Sequence, residues 1–150
     1  MAVPVYFYTH QNLGPEGTLQ LTGTTGNPVN VTVSELKTFP SVTIQVTLTS
    51  SSKPQDNGIF NYTGVTLRDI LEQTYTVESA KSVYVQAVDG YGTTLTIAEA
   101  MDQNTIIAYA KDGVELMSLQ NGGEGPARLI IGGDKYAQRW VKGVVAITVS

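Results

Sequence analysis

The sequence predicts an α+β domain that is mostly β, with mixed sheets and about three short helices. β-branched runs bounded by turn residues recur along most of the chain. The helical segments are too few to cross over between successive parallel strands. With 150 residues and no cysteine, the chain is long enough to bury one core without disulfides, so we expect residues 1–150 to form a single domain.

Nine segments have the composition of strands, being rich in valine, isoleucine, threonine and aromatic residues. They are Val5–Tyr8, Thr18–Thr22, Val29–Val31, Val42–Leu48, Ser82–Val88, Thr93–Leu95, Ile106–Ala110, Arg128–Ile131 and Trp140–Val149. The turns are marked by glycines, namely Gly58, Gly64, Gly90, Gly92 and Gly113.

Each predicted helix begins at a threonine that precedes an acidic residue by three positions. Both side chains can bond the free N–H groups of a first helical turn. The pairs are Thr32 with Glu35, Thr66 with Asp69 and Thr96 with Glu99. The helices that follow are Val33–Thr38, Leu67–Gln73 and Ile97–Met101.

Two local features indicate how these helices end and what they cover. Pro40 stops the first helix because proline has no N–H group and disfavours helix in the residue before it. In the second helix, Leu67, Ile70 and Leu71 share one apolar face, as expected of a helix that lies on a sheet.

Composition and charge exclude several classes of partner. The net charge is -4, charged residues make up 15% of the chain, and there is no lysine-rich run, so we expect no nucleic-acid partner. No apolar run is long enough to span a bilayer, so we expect no membrane insertion. Frequent Thr, Ser, Asn and Gly would suit a periplasmic or extracellular domain whose signal peptide has been removed.

A basic cluster near the end of the chain is the main candidate site. Arg128, Lys135, Arg139 and Lys142 surround the glycine-rich turn at residues 121–126. Guanidinium and ammonium groups beside unhindered backbone N–H groups suit a phosphate or another small anion. The alternative is a solvated surface, in which Lys135 and Arg139 pair with acidic neighbours such as Asp134 and Glu124.

Other polar and aromatic residues have competing interpretations. Asp89 can bond a pterin or act as an acid or base, but Asp-Gly-Tyr is first of all a turn. Tyr91 and Tyr109 can stack on a planar ring or simply cover sheet edges. His10 is the single histidine, and the sequence shows no partners with which it could form a metal site or a catalytic triad.

Several short motifs occur in a fixed order from residue 21 onward. They include Leu21-Thr22-Gly23, Asn27-Pro28-Val29, Tyr62-Thr63-Gly64-Val65, Asp89-Gly90-Tyr91, Asp112-Gly113-Val114-Glu115-Leu116, Gly125-Pro126-Ala127-Arg128 and Trp140-Val141-Lys142. Together they resemble the oxidoreductase molybdopterin-binding domain, which is found in sulfite oxidases, assimilatory nitrate reductases and bacterial methionine-sulfoxide reductase catalytic subunits. The resemblance is strongest over residues 19–149 and implies the sulfite oxidase-like fold.

The resemblance implies a cofactor and residues that bind it. Arg128 and Lys142 correspond to the family's phosphate-binding arginine and lysine. Gly122, Gly123 and Gly125 would let the backbone approach a molybdopterin or another phosphorylated pterin. Arg139 would add positive charge.

This sequence also departs from the family pattern. Where the family has its molybdenum-ligating cysteine, the chain reads Thr49-Ser50-Ser51-Ser52-Lys53. The Ser50 hydroxyl is the available substitute, but a serine run before a proline is typical of a flexible loop. Metal binding is therefore doubtful, because a neutral hydroxyl is a weaker ligand than a thiolate for such a metal.

Two functions follow as hypotheses. In the first, the protein binds a pterin-type cofactor without the usual oxotransferase activity. In the second, it is an extracytoplasmic structural or interaction module that kept the fold and lost the cofactor. A redox subunit acting with a separate partner chain is a further possibility that the sequence leaves open.

Overall fold

We describe the protein from a computed structural model that covers residues 15–23, 27–74 and 79–150. The predicted strand Val5–Tyr8 and His10 lie outside the described residues. The strands are β1 (Thr18–Thr22), β2 (Val29–Thr32), β3 (Val42–Leu48), β4 (Gly58–Thr66), β5 (Ser82–Ala87), β6 (Gly92–Thr96), β7 (Thr105–Lys111), β8 (Val114–Glu115), β9 (Arg128–Ile131) and β10 (Val144–Val149). The α-helices are α1 (Val33–Leu36), α2 (Leu67–Gln73) and α3 (Ile97–Ala100).

The strands form two mixed or antiparallel sheets, in agreement with the predicted fold class. The first sheet has the order β2-β1-β10-β5-β6, in which only the β1–β10 pair is parallel. The second sheet runs β3-β4-β7-β8 and is antiparallel throughout. Strand β9 also pairs with β7, so β8 and β9 follow each other along one edge of that strand.

This shared edge explains where the glycine-rich turn lies. The chain leaves the edge of β7 at the end of β8, Glu115, and returns to that edge at Arg128, which pairs with Ala108. The intervening residues 116–127 therefore form a loop anchored at both ends on one sheet edge. The turn is held against the sheet by its flanking strands.

Residues 140–143 connect the second sheet to the first. Leu129 donates a backbone hydrogen bond of 2.9 Å to the carbonyl of Val141, and Val144 donates one of 2.9 Å to the carbonyl of Ala127. Arg128 and Lys142 form an isolated antiparallel bridge between these bonds. The two basic residues are thus neighbours because of backbone pairing.

The threonine signals start all three helices as predicted. Thr32 and Thr96 form complete capping boxes with Glu35 and Glu99, and the Thr66 hydroxyl accepts from the N–H of Asp69 at 3.1 Å. In α2, Leu67, Ile70 and Leu71 are fully buried, which confirms the predicted apolar face.

Several parts of the secondary-structure prediction were wrong. Helix α1 ends at Leu36 and not at the predicted Thr38, and Gly92 begins β6 and does not form a turn. Gly58–Thr66 is a strand. Gly64 therefore lies at a register shift within this strand and not in a turn between elements. The pair Val114–Glu115 is a short strand that was not predicted. Residues 140–143 do not belong to β10, since Gly143 has a φ of 64° and interrupts the extended backbone before Val144.

Within the described residues, no helix has both the length and the apolar character needed to cross a membrane.

Candidate anion-binding cleft

A cleft of about 740 Å³ opens where the glycine-rich turn meets the segment that joins the sheets. Its walls come from the loop after β3, the turn after β5, the end of β7 and four residues before β10, namely Ala137, Gln138, Trp140 and Lys142. The basic residues that line it are Lys53, Lys111, Arg128 and Lys142, and the acidic ones are Asp56, Asp89 and Glu124.

Arg128 is buried in the floor of the cleft, with 4% of its surface exposed. Its Nε donates to the carbonyl of Trp140 at 3.1 Å. Its Nη1 donates to Tyr62 at 3.2 Å and to Oε1 of Glu124 at 2.8 Å. The remaining nitrogen, Nη2, forms no hydrogen bond with any described residue. The protein thus holds Nε and Nη1, and Nη2 is left to donate to a guest.

Glu124 forms ion pairs with two cations at once. Besides the contact with Arg128, its Oε1 accepts from the Tyr62 hydroxyl at 2.6 Å and its Oε2 accepts from Lys111 at 3.2 Å. Burial alone would raise the pKa of this carboxyl, but the hydrogen bonds from Tyr62 and Arg128, together with the positive charges of Arg128 and Lys111, lower that pKa. Glu124 is therefore ionised and paired at neutral pH.

Lys142 is the half-buried cation of the cleft that lacks such a partner. Its ammonium forms no ion pair with any carboxylate in the described parts of the chain. Burial lowers the pKa of Lys142, and the positive charge of Arg128 lowers it further. An anion bound beside both residues would relieve this repulsion, as expected of a site that binds anions.

Glycines shape the glycine-rich turn, and their backbone N–H groups form hydrogen bonds with carbonyls of the residues just before it. The N–H groups of Gly122, Gly123 and Gly125 donate to the carbonyls of Leu119, Ser118 and Met117. A Cβ on Gly123 would meet the Met117 carbonyl, and one on Gly125 would meet Leu116. The glycines thus permit close packing, and their predicted contact with a ligand stays a prediction.

Ser50, Asp89 and Tyr91 line the same cleft as Arg128 and Lys142. Asp89 accepts a hydrogen bond from the N–H of Tyr91 at 3.0 Å, which confirms that this segment is a turn. The Tyr91 hydroxyl donates to the carbonyl of Gln138 at 2.5 Å and so braces the opposite wall.

The structure places Arg139 and Tyr109 outside the cleft lining. Arg139 is held by Glu99, at 2.7 Å, and by Asp134, at 2.8 Å, so its donors are directed at internal carboxylates. The ring of Tyr109 lies 5.6 Å from the ammonium of Lys37. Gly125 is buried behind the turn and is also absent from the lining.

Whether a cofactor would fit the cleft can be judged from the polar groups that have no hydrogen-bond partner. Trp140 is 2% exposed and lines the cleft, yet its indole N–H has no acceptor among the described residues. A buried donor of this kind needs an acceptor, which a pterin or phosphate oxygen would provide. Together with Lys142 and Nη2 of Arg128, it fits the anionic part of such a cofactor.

The side chains of the described residues are less suited to a metal ion. The chain has no cysteine, and the described residues contain no group of three or more His, Asp or Glu side chains placed to hold an ion. The Ser50 side-chain oxygen accepts from the N–H of Lys53 at 3.0 Å. This hydroxyl stabilises the loop instead of pointing to an obvious ligand set.

Sequence reasoning missed Tyr62 and Lys111 as parts of the site. These two residues are register partners on β4 and β7, and both contact Glu124. The available signal was a tyrosine within one strand and a lysine at the end of another. That signal has no meaning until the strands are paired, because residues far apart in sequence become neighbours only through the sheet.

Comparisons with known proteins agree with this fold. Residues 14–150 match the family described as the oxidoreductase molybdopterin binding domain. Among solved structures, the crystal structure of the sulfane dehydrogenase SoxCD from Paracoccus pantotrophus superposes with a TM-score of 0.74 at 21% sequence identity. The match covers 88% of this chain and 37% of that chain. Among curated proteins, none matches the sequence.

Proposed function

Because this chain belongs to the oxidoreductase molybdopterin-binding domain family, we propose that it binds a phosphorylated pterin of the molybdopterin type in the cleft. The observation that carries the proposal is the pairing of Arg128 with Lys142 on adjacent backbone positions, with both side chains lining one cleft. Lys142 and Nη2 of Arg128 would bind the phosphate, and the Trp140 indole would donate to another acceptor of the ligand.

The residues around this anion site would orient and shield the ligand. Hydrogen bonds from Nη1 to Tyr62 and Glu124 would hold the Arg128 guanidinium in place at the cleft and leave Nη2 for the ligand. Tyr91 holds the segment that contains Gln138 and forms the far wall. Fixed donors of this kind bind an anion with little loss of side-chain entropy.

A molybdopterin, when loaded with molybdenum, supplies oxygen-atom transfer chemistry. This chain has no thiolate for such a metal, and Ser50 takes the place of the family's cysteine. We therefore extend the proposal to binding without the usual oxotransferase activity.

A second candidate is a structural or interaction module that lost the cofactor. The observation in its favour is that Glu124 already forms ion pairs with Arg128 and Lys111 within the cleft. An internal carboxylate that satisfies the site's cations would stabilise the ligand-free fold. This candidate predicts no bound pterin and only a modest stability change when Lys142 is replaced.

The test is to purify the protein from its own host, or from a host that makes molybdopterin, and to measure pterin by native mass spectrometry and by fluorescence after denaturation. We expect one bound pterin per protein in the wild type. In Lys142→Met we expect about tenfold less bound pterin, because one charged contact is lost. The matched control is Lys135→Met, since Lys135 is exposed and absent from the cleft lining. A wild-type protein without pterin from such a host would overturn the proposal and favour the second candidate.

A further inference from the structure

A second lysine of the cleft, Lys53, has no partner for its ammonium group. Lys53 is an exposed residue of the loop after β3, and it lines the cleft together with Lys142. Neither ammonium forms an ion pair with a carboxylate of the described residues. Arg128 and Lys111 differ, because both form ion pairs with Glu124. Two positive groups on different walls of the cleft are thus available to an anion.

Hydrogen bonds hold the backbone of the loop that carries Lys53. The N–H of Ser50 donates to Oδ1 of Asn57 at 2.7 Å, and the Ser50 hydroxyl accepts from the N–H of Lys53 at 3.0 Å. The carbonyl of Lys53 accepts from the N–H of Asp56 at 2.9 Å. The Lys53 side chain therefore extends from a defined backbone position, which Ser50, the residue in place of the family's cysteine, helps to set.

The same loop is joined to the segment that carries Lys142. The N–H of Ala137 donates to the carbonyl of Thr49 at 2.9 Å, so the two walls are connected at the base of the loop. Burial and the charge of Arg128 lower the pKa of Lys142, and the positive charge of Lys53 lowers it further. The two ammonium groups therefore repel each other, and an anion in contact with both would relieve that repulsion.

A doubly charged anion suits this pair of lysines. A terminal phosphate carries about 1.5 to 2 negative charges at neutral pH. Asp56 opposes its binding, because the charge of this carboxylate also acts on Lys142 and raises the pKa of that lysine. Since Asp56 forms no ion pair with either lysine, both ammonium groups stay available for direct contact with phosphate oxygens, and the carboxylate acts at longer range.

We infer that Lys53 is a further ligand-binding residue of the cleft, which binds the doubly charged phosphate of the ligand together with Lys142. The inference rests on the proposed function for the identity of the ligand. It gives the loop after β3 a role in binding an anion. Ser50 is then a positioning residue, because it acts on the ligand only through Lys53.

The experiment measures the binding of inorganic sulfate, a doubly charged probe, to protein from a host that cannot make molybdopterin. Dissociation constants come from calorimetry at constant ionic strength. We expect Lys53→Met to bind sulfate about three- to fivefold more weakly than the wild type, because one exposed charged contact is lost. Lys53→Arg keeps the charge and should stay within about twofold of the wild type. Equal sulfate affinity in wild type and Lys53→Met would overturn the inference.

The matched control is Lys81→Met, which should leave the sulfate affinity unchanged. Lys81 is exposed, precedes β5 and is absent from the cleft lining, whereas the cleft contacts the turn at the other end of that strand. An equal loss in Lys81→Met and Lys53→Met would show a general effect of net charge and would reject the inference. Lys53→Gln replaces Lys53→Met if the methionine variant does not fold.

Two further measurements separate direct contact from indirect effects. Lys53→Met should weaken the binding of singly charged methyl sulfate less than that of sulfate, and an equal loss for both probes would contradict a contact with the dianion. In an Asp56→Asn background, Lys53→Met should still weaken sulfate binding. If the effect vanished there, Lys53 would act only by offsetting the charge of Asp56, and the inference would fall.

The two proposals can fail separately. Sulfate affinities are measured on the ligand-free protein, whereas the proposed function depends on a pterin found in protein from a suitable host. A bound pterin together with an unchanged sulfate affinity in Lys53→Met would reject the role of Lys53 alone. A loss of sulfate affinity in Lys53→Met, without any pterin in the wild type, would reject the cofactor and keep the anion-binding role of Lys53.

Discussion

The hydroxyl of Tyr62 donates a 2.6 Å hydrogen bond to Oε1 of Glu124, a residue 62 positions later in the chain. Tyr62 belongs to β4 in the second sheet, whereas Glu124 belongs to the glycine-rich turn. The bond therefore ties the turn to the sheet and brings a carboxylate to the side of Arg128. Four predictions about stability follow from this bond and from contacts elsewhere in the domain.

Replacing Tyr62 by phenylalanine should lower the free energy of unfolding by about 1–3 kcal/mol at neutral pH, because a buried hydrogen bond to a charged group is lost. Chemical denaturation monitored by circular dichroism measures the difference. The matched control is Tyr136→Phe, since Tyr136 is 43% exposed and should change stability little.

The same bond predicts a loss of stability in alkali. Burial, followed by the hydrogen bond to Glu124, raises the pKa of Tyr62 well above its usual 10.0. The unfolded chain then releases the proton first, so this contribution is present below pH 10 and is lost as the pH rises further. The stability gap between wild type and Tyr62→Phe should narrow above about pH 10. A gap that widened there would contradict the assigned direction.

The clamp around Arg139 predicts an acid-sensitive contribution to stability. Hydrogen bonds from Arg139, and then from the Thr96 backbone, lower the pKa of Glu99 from 4.5 to about 2. The stabilising charge is therefore fully present above pH 4.5 and is lost as the pH falls towards 2.

Arg139→Gln should accordingly lower stability by about 1 kcal/mol at neutral pH, a small effect because the pair is partly exposed. The unfolding midpoints of wild type and variant should converge as the pH falls to about 2. Arg68→Gln is the control, since Arg68 is an exposed arginine on α2. If the unfolding midpoints of wild type and Arg139→Gln differed as much at about pH 2 as at neutral pH, the ion pair with Glu99 could not be the source of the difference.

Gly64 is required where β4 passes close to β7. A Cβ at this position would meet the carbonyl oxygen of Ile107 and lie 2.6 Å from the Cα of Ala108. Because these are backbone atoms that cannot rotate away, Gly64→Ala should cost about 2–4 kcal/mol of unfolding free energy. In Gly133→Ala the new methyl meets nothing within 4 Å, so thermal unfolding should leave that variant near the wild type. Equal thermal unfolding midpoints for the two variants would contradict this prediction, because they would mean that β4 and β7 can move apart at little cost.

Local patterns in the sequence were sufficient for much of the fold. The bounds predicted for β1, β3, β9 and α2 agree with the structure. These elements have either a continuous β-branched run or a threonine cap followed by an apolar face, and both signals act within a few residues. Strand β4 was missed because its two glycines look like turns unless the neighbouring backbone is known.

The site was only partly predictable, because its contacts also depend on which parts of the backbone are neighbours. The sequence by itself determined the family, the fold class and the presence of Arg128 and Lys142 near a glycine-rich turn. Only the tertiary structure decided which cations keep an internal partner. It pairs Arg128 with Glu124 and directs Arg139 to Glu99, while Lys142 is left without a described carboxylate partner. Charge pairing depends on distances of a few ångströms between side chains, and strand register sets those distances between residues that are remote in sequence.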